Sequence, residues 1–99
     1  DRASEMNAGA PKVLPPRCYP SLFRDNLNID ISGNGISHFT TVFICDVTGK
    51  KWMETALHIA PGETVRQELE TAHLSPGMYF VYIVQGAHTF VNKVIKNRI

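Results

Sequence analysis

Four histidines (His38, His58, His73 and His88) and two cysteines (Cys18 and Cys45) are the side chains in this sequence best suited to metal ligation. A structural zinc site draws on about four such ligands, usually arranged as close pairs. Here all six stand apart along the chain, so a metal centre would need convergence in space alone. Ser4, Ser21, Ser32, Ser37 and Ser75 lie near Gly, Pro or Asn, where hydroxyl groups satisfy turns. None sits in the Gly-x-Ser-x-Gly setting of a nucleophile elbow. No glycine-rich phosphate loop and no paired-carboxylate motif is present. The sequence therefore predicts no catalytic residue, no metal and no cofactor. Two cysteines are too few to define a disulfide framework, so one disulfide and two unpaired thiols both stay open.

Charge narrows the partners. Ten Lys plus Arg stand against nine Asp plus Glu, a formal net charge of +1. No global field draws such a chain onto nucleic acid or an anionic membrane, and any partner must be recognised locally. The longest apolar runs, such as Met78 to Val84, fall far short of the ~20 residues that cross a bilayer as a helix. Asp1 to Ala10 has neither the basic start nor the apolar run of a signal peptide.

The elements that would position any site are strands. With 99 residues, 43% of them hydrophobic, the chain can build one small core and one domain. Residues 1–17, rich in Ala, Gly, Pro and polar residues, read as a flexible linker, within which Val13 and Leu14 offer a short edge strand; residues 18–99 read as the folded domain. Leu27, Ile29 and Ile31 alternate with polar Asn28 and Asp30, the period of a half-buried strand. Ser32-Gly33-Asn34-Gly35 reads as a turn. Phe39 to Val47 has apolar residues on both faces and is expected at the centre of a sheet. Asp46 to Lys50 reads as a hairpin turn, with Gly49 supplying the positive φ and Trp52 on the return strand serving to pack.

Trp52 to Ile59 and Thr64 to Leu69 flank Ala60-Pro61-Gly62-Glu63, a type II turn combination, and are expected to form a second hairpin. The stretch from Glu63 to His73 also tolerates a helical period, but its surroundings favour a strand. Met78 to Val84 and His88 to Ile95 follow, the first apolar on both faces. Lys96 to Ile99 read as a basic, exposed end. The pattern predicts an all-β fold, an antiparallel β-sandwich of about seven strands with an immunoglobulin-like look.

Three stretches, taken together and in order, resemble the conserved blocks of the type IX secretion system C-terminal sorting domain. The first block of that family runs Tyr-Pro-Asn-Pro-Phe, a short polar gap, then Leu-Asn-Ile. Tyr19, Pro20, Phe23, Leu27, Asn28 and Ile29 match it, while Ser21 and Leu22 depart from it. The second block is a strand ending in Asp-x-x-Gly-Lys. It is matched by Asp46, Gly49 and Lys50, with Cys45 in place of the usual aromatic residue. The third block, Leu-x-x-Gly-x-Tyr-x-Val-x-Ile, is matched by Leu74, Gly77, Tyr79, Val81 and Ile83, followed by a last strand carrying Lys93 and Lys96.

The resemblance implies a sorting signal of the kind used by Bacteroidetes. Such a module is recognised by the type IX translocon, which carries its cargo from the periplasm across the outer membrane to the cell surface. It also implies a sortase as a second partner, cutting in or near residues 1–17. Each matched residue also has a structural explanation: Gly49 and Gly77 where φ is positive, Phe23 and Tyr79 in a core. Lys93, Lys96 and Arg98 read equally well as a basic patch for the translocon and as solvated lysines guarding a strand edge. Three further readings stand beside the sorting signal: a retained partner-docking domain, a carbohydrate- or protein-binding sandwich using Trp52, Tyr79 or Tyr82, and a homodimer formed by edge pairing.

Overall fold

The computed structural model describes residues 15–33 and 39–97. The expected strand at Val13 and Leu14, half of the turn at Ser32 to Gly35, most of the linker, His38, Arg98 and Ile99 lie outside them. Eight strands and no helix are found among the described residues. They are β1 (Arg17–Tyr19), β2 (Leu22–Phe23), β3 (Asn26–Ser32), β4 (Phe39–Asp46), β5 (Lys51–His58), β6 (Thr64–Glu70), β7 (Gly77–Gln85) and β8 (His88–Lys96). They form a three-stranded sheet ordered β1-β3-β6 and a five-stranded sheet ordered β2-β8-β7-β4-β5. This arrangement is sandwich-like and compatible with an immunoglobulin-like fold.

Alternation builds the core. Leu27, Ile29 and Ile31 of β3 face Val42 and Ile44 of β4 and Val81 and Ile83 of β7, all of them buried. Two polar side chains join the sheets at opposite ends of this core. Gln85, at the end of β7, is buried and donates from Nε2 to the Ser32 carbonyl at 2.9 Å. Lys96, at the end of β8, donates from Nζ to the Thr71 carbonyl at 2.7 Å and to the Arg24 carbonyl.

Three expectations are corrected. The chain from β5 to β6 is no hairpin: β5 pairs with β4, β6 pairs with β3, and the connection crosses between sheets. The turn itself forms, with Glu63 N–H donating to the Ala60 carbonyl at 3.0 Å and Gly62 at φ 80°. A tight turn thus fixes a reversal of direction without fixing which strands pair. The sandwich is not wholly antiparallel either. β2 runs parallel to β8, with Leu22 opposite Ile95 and Phe23 opposite Lys96. That parallel pair needs no crossover helix, because the whole of the fold from β3 to β7 lies between its two strands in sequence. The third correction concerns Lys96, which is 8% exposed and belongs to the core boundary, not to an open basic end.

Candidate functional site: a motif-built end and an open apolar face

The three sequence blocks meet at one end of the sandwich. β4 finishes there, while β7 starts there, so Asp46 of the second block stands opposite Tyr79 of the third. Phe23 of the first block is fully buried and meets the Tyr79 ring edge-on, with centroids 6.4 Å apart. Lys96 places its ammonium 5.7 Å from the Phe23 ring centroid, close enough for a cation–π contribution. Gly77 stands opposite Lys96 in the β7–β8 register.

Each block also organises its own turn. Asp46 Oδ1 accepts from Thr48 N–H at 2.9 Å, Thr48 Oγ1–H at 2.6 Å and Lys50 N–H at 3.1 Å. Its Oδ2 accepts from Trp52 Nε1–H at 2.9 Å. These bonds, from the Thr48 hydroxyl foremost and then from Trp52, favour the carboxylate and hold the Asp46 pKa down to about 2. The register between β4 and β5 shifts at Ile44 and Cys45, so Trp52 is the extra residue of a β-bulge, free to lean over the turn. Lys50 Nζ covers the indole at 4.2 Å, so this face of Trp52 is closed and the ring is neither a core residue nor an open platform. Gly49 has φ 90°.

In the third block, Leu74 is buried, Gly77 has φ 145°, and Tyr79 Oη–H donates to the Ser75 carbonyl at 2.6 Å. In the first, Tyr19 Oη–H donates to the Asp30 carboxylate at 2.9 and 3.0 Å, and the Tyr19–Pro20 peptide is cis. Asp30 also takes Arg66 Nε–H at 2.9 Å, and chiefly this bond lowers its pKa. Leu27, Ile29 and Val81 are core residues and Asn28 is half-buried beside Tyr19. Cys18 and Cys45 are both unpaired. Among the described residues no three His, Cys, Asp or Glu side chains converge as a metal site would require.

Most of the motif is therefore out of a partner's reach. Among the described residues, Pro20, Gly49, Lys50, Gly77 and Lys93 are its exposed members. Open apolar surface lies instead on the outer face of the five-stranded sheet. Leu22, Ile95 and Met78 stand side by side on β2, β8 and β7, and remain 56%, 43% and 39% exposed. The next rows carry Lys93 beside Phe80, then Val91, 51% exposed, beside Tyr82. Tyr82 stacks on Phe43 at 4.8 Å with the rings 7° from parallel, and Lys51 Nζ lies 4.7 Å over the other aromatic. The face is an apolar strip with a lysine rim.

Sequence reasoning did not find this strip. Its signal was present in the two-sided apolarity of Met78 to Val84 and in Leu22, which stands where the first block has a proline.

The sequence model of the secretion system C-terminal sorting domain matches residues 17–97. The chain belongs to this family. Its match begins at the first residue of β1 and ends one residue beyond β8, so it covers both sheets. A search of curated proteins finds no match. As a member of the sorting domain family, the chain is a C-terminal signal for type IX secretion, directing export toward the outer membrane or surface, and its partners are proteins of that system. The family is a signal family and not a catalytic one.

Proposed function

We propose that the sorting domain acts wholly by being bound, and that the translocon reads the outer face of its five-stranded sheet. The observation that carries this is the exposed row of Leu22, Ile95 and Met78, which runs on along β7 through half-buried Phe80 and Tyr82 to Val91, with Lys93 standing between Ile95 and Val91 on β8. Small soluble domains seldom leave so contiguous an apolar strip on one face unless something covers it. The lysines at its rim, Lys93 and Lys51, favour a partner that is apolar at its centre and acidic at its margin.

On this reading the family blocks have a division of labour. Phe23, Leu27, Ile29, Leu74, Tyr79, Val81 and Lys96 make the fold, while Lys93 contributes to the docking surface. The sortase acts on the linker preceding β1, and the cargo reaches the cell surface or the medium.

Two sets of variants test this with a signal peptide and reporter fused ahead of the domain. Val91→Lys and Ile95→Lys should keep the thermal midpoint of the parent and lose export. Lys93→Ala should weaken export less than either. Normal export by the double Val91→Lys, Ile95→Lys variant would show that the translocon reads another surface.

A further inference from the structure

The four sheet edges are not alike. β1 and β2 are three and two residues long, and the β5 edge is interrupted by the Trp52 bulge. Short strands and bulges are two of the protections against edge pairing, and charged side chains are another. β6 is neither short nor bulged: it pairs with β3 over seven consecutive residues without a register shift, and among the described residues no strand lies on its other side.

Which groups β6 offers at that edge follows from parity. In an antiparallel ladder, opposed residues alternate between bonded and non-bonded pairs. Just beyond the ends of the β3–β6 register, Gly33 N–H donates to the Glu63 carbonyl at 2.8 Å and Thr71 N–H to the Asp25 carbonyl at 2.7 Å. Both are bonded pairs, so the odd-numbered residues Val65, Gln67 and Leu69 turn their backbone groups toward β3. Thr64, Arg66, Glu68 and Glu70 turn theirs to the open edge, with their side chains exposed on the outer face.

We infer that β6 is a homodimerisation edge, pairing antiparallel with β6 of a second copy about a two-fold axis through Gln67. Parity restricts such pairing to even residues opposite even residues. Centring on Gln67 puts Arg66 opposite Glu68 of the second copy, twice, and Thr64 opposite Glu70. The neighbouring allowed registers put Arg66 opposite itself, or Glu68 opposite itself with Arg66 opposite Glu70, so each sets like charges together at its axis. Of the three, only the register centred on Gln67 has no like-charged pair. On the inner face it sets Val65 against Leu69 of the second copy and extends the apolar layer.

The charges also continue across the axis. Within one chain Arg17, Asp30 and Arg66 stand in a single cross-strand row, with Arg66 Nε 2.9 Å from Asp30. In the dimer that row runs on through Glu68, Asn28 and Tyr19 of the second copy, alternating in sign as far as the charges extend. The result is a continuous six-stranded sheet, with the outer face of each five-stranded sheet left open.

Sedimentation equilibrium on the full 99-residue chain tests this, using charge variants and a cysteine probe. The parent should dimerise in a concentration-dependent way. Glu68→Arg alone and Arg66→Glu alone should each weaken the dimer at least about tenfold, since each places like charges opposite one another. An equimolar mixture of the two variants should recover the dimer as a heterodimer, which a misfolded variant could not do. Gln67→Cys should form an intermolecular disulfide on mild oxidation, because opposed non-bonded residues lie about 4.5 Å apart at Cα, within disulfide range. A parent that stays monomeric at millimolar concentration, or a dimer indifferent to both charge variants, would overturn the assignment.

Discussion

Lys96 Nζ donates to the Thr71 carbonyl at 2.7 Å from a position almost sealed from solvent. The contact joins the last strand of one sheet to the chain just beyond β6 of the other, and a second bond from the same ammonium, to the Arg24 carbonyl, secures the approach to β3. Lys96 is thus a bolt between sheets, seated over the Phe23 ring.

Lys96→Met should therefore destabilise the domain by about 2–3 kcal/mol, the scale on which charged hydrogen bonds are lost and buried carbonyls are left unpaired. Lys93→Met, on an exposed position of the same strand, should change stability by less than about 0.5 kcal/mol. Urea unfolding of the two variants checks the contrast.

Asp46 makes stability depend on pH in a defined direction. Its folded pKa, about 2, lies below the ordinary Asp value. A depressed carboxyl contributes stability that is fully present above its unfolded value of about 3.9 and is lost as pH falls toward the folded value. Urea midpoints of the parent and Asp46→Asn should differ by a constant amount at neutral pH and converge as pH falls from about 4 to about 2.

Gly77 carries a conformational requirement separable from packing. A Cβ placed there would meet no atom within 4 Å, yet the residue sits at φ 145°. Gly77→Ala should cost about 1–3 kcal/mol through backbone strain alone. A thermal midpoint equal to that of the parent would show that the start of β7 relaxes to an ordinary strand conformation.

The Cys18 thiol is pushed up to about 11 by burial. Thiolate is the reactive form, so alkylation at pH 8 should run on the order of a hundredfold slower than that of an exposed cysteine. Unfolding in urea should abolish the difference.

How far the sequence revealed these features depends on how local their causes are. The Asp46 turn was legible because its acceptor, its donors and Gly49 lie within a few residues. The two-sided apolarity of Phe39 to Val47 marked an inner strand, and the structure pairs β4 on both sides, with β5 and β7, although β7 and not β4 holds the centre of the five strands. The partners of β5 and β6 were not legible, because alternation says which face of a strand is apolar and nothing about its neighbour. Lys96 read as an exposed charge for the same reason. The carbonyls that bury it belong to Arg24 and Thr71, distant in sequence, and only the closing of one sheet on the other brings them together. The outer strip was hidden in plain alternation, since an apolar residue on a strand does not announce whether its face is covered.

Sufficiency of this domain as a type IX sorting signal can be measured by fusing a signal peptide and a fluorescent reporter ahead of it and following the fusion in type IX-competent and translocon-deleted cells. Delivery to the surface or medium is expected in competent cells alone, with periplasmic retention in the deletion strain. Retention in both strains, with the domain folded and intact, would contradict it and point to a docking module that stays in the periplasm.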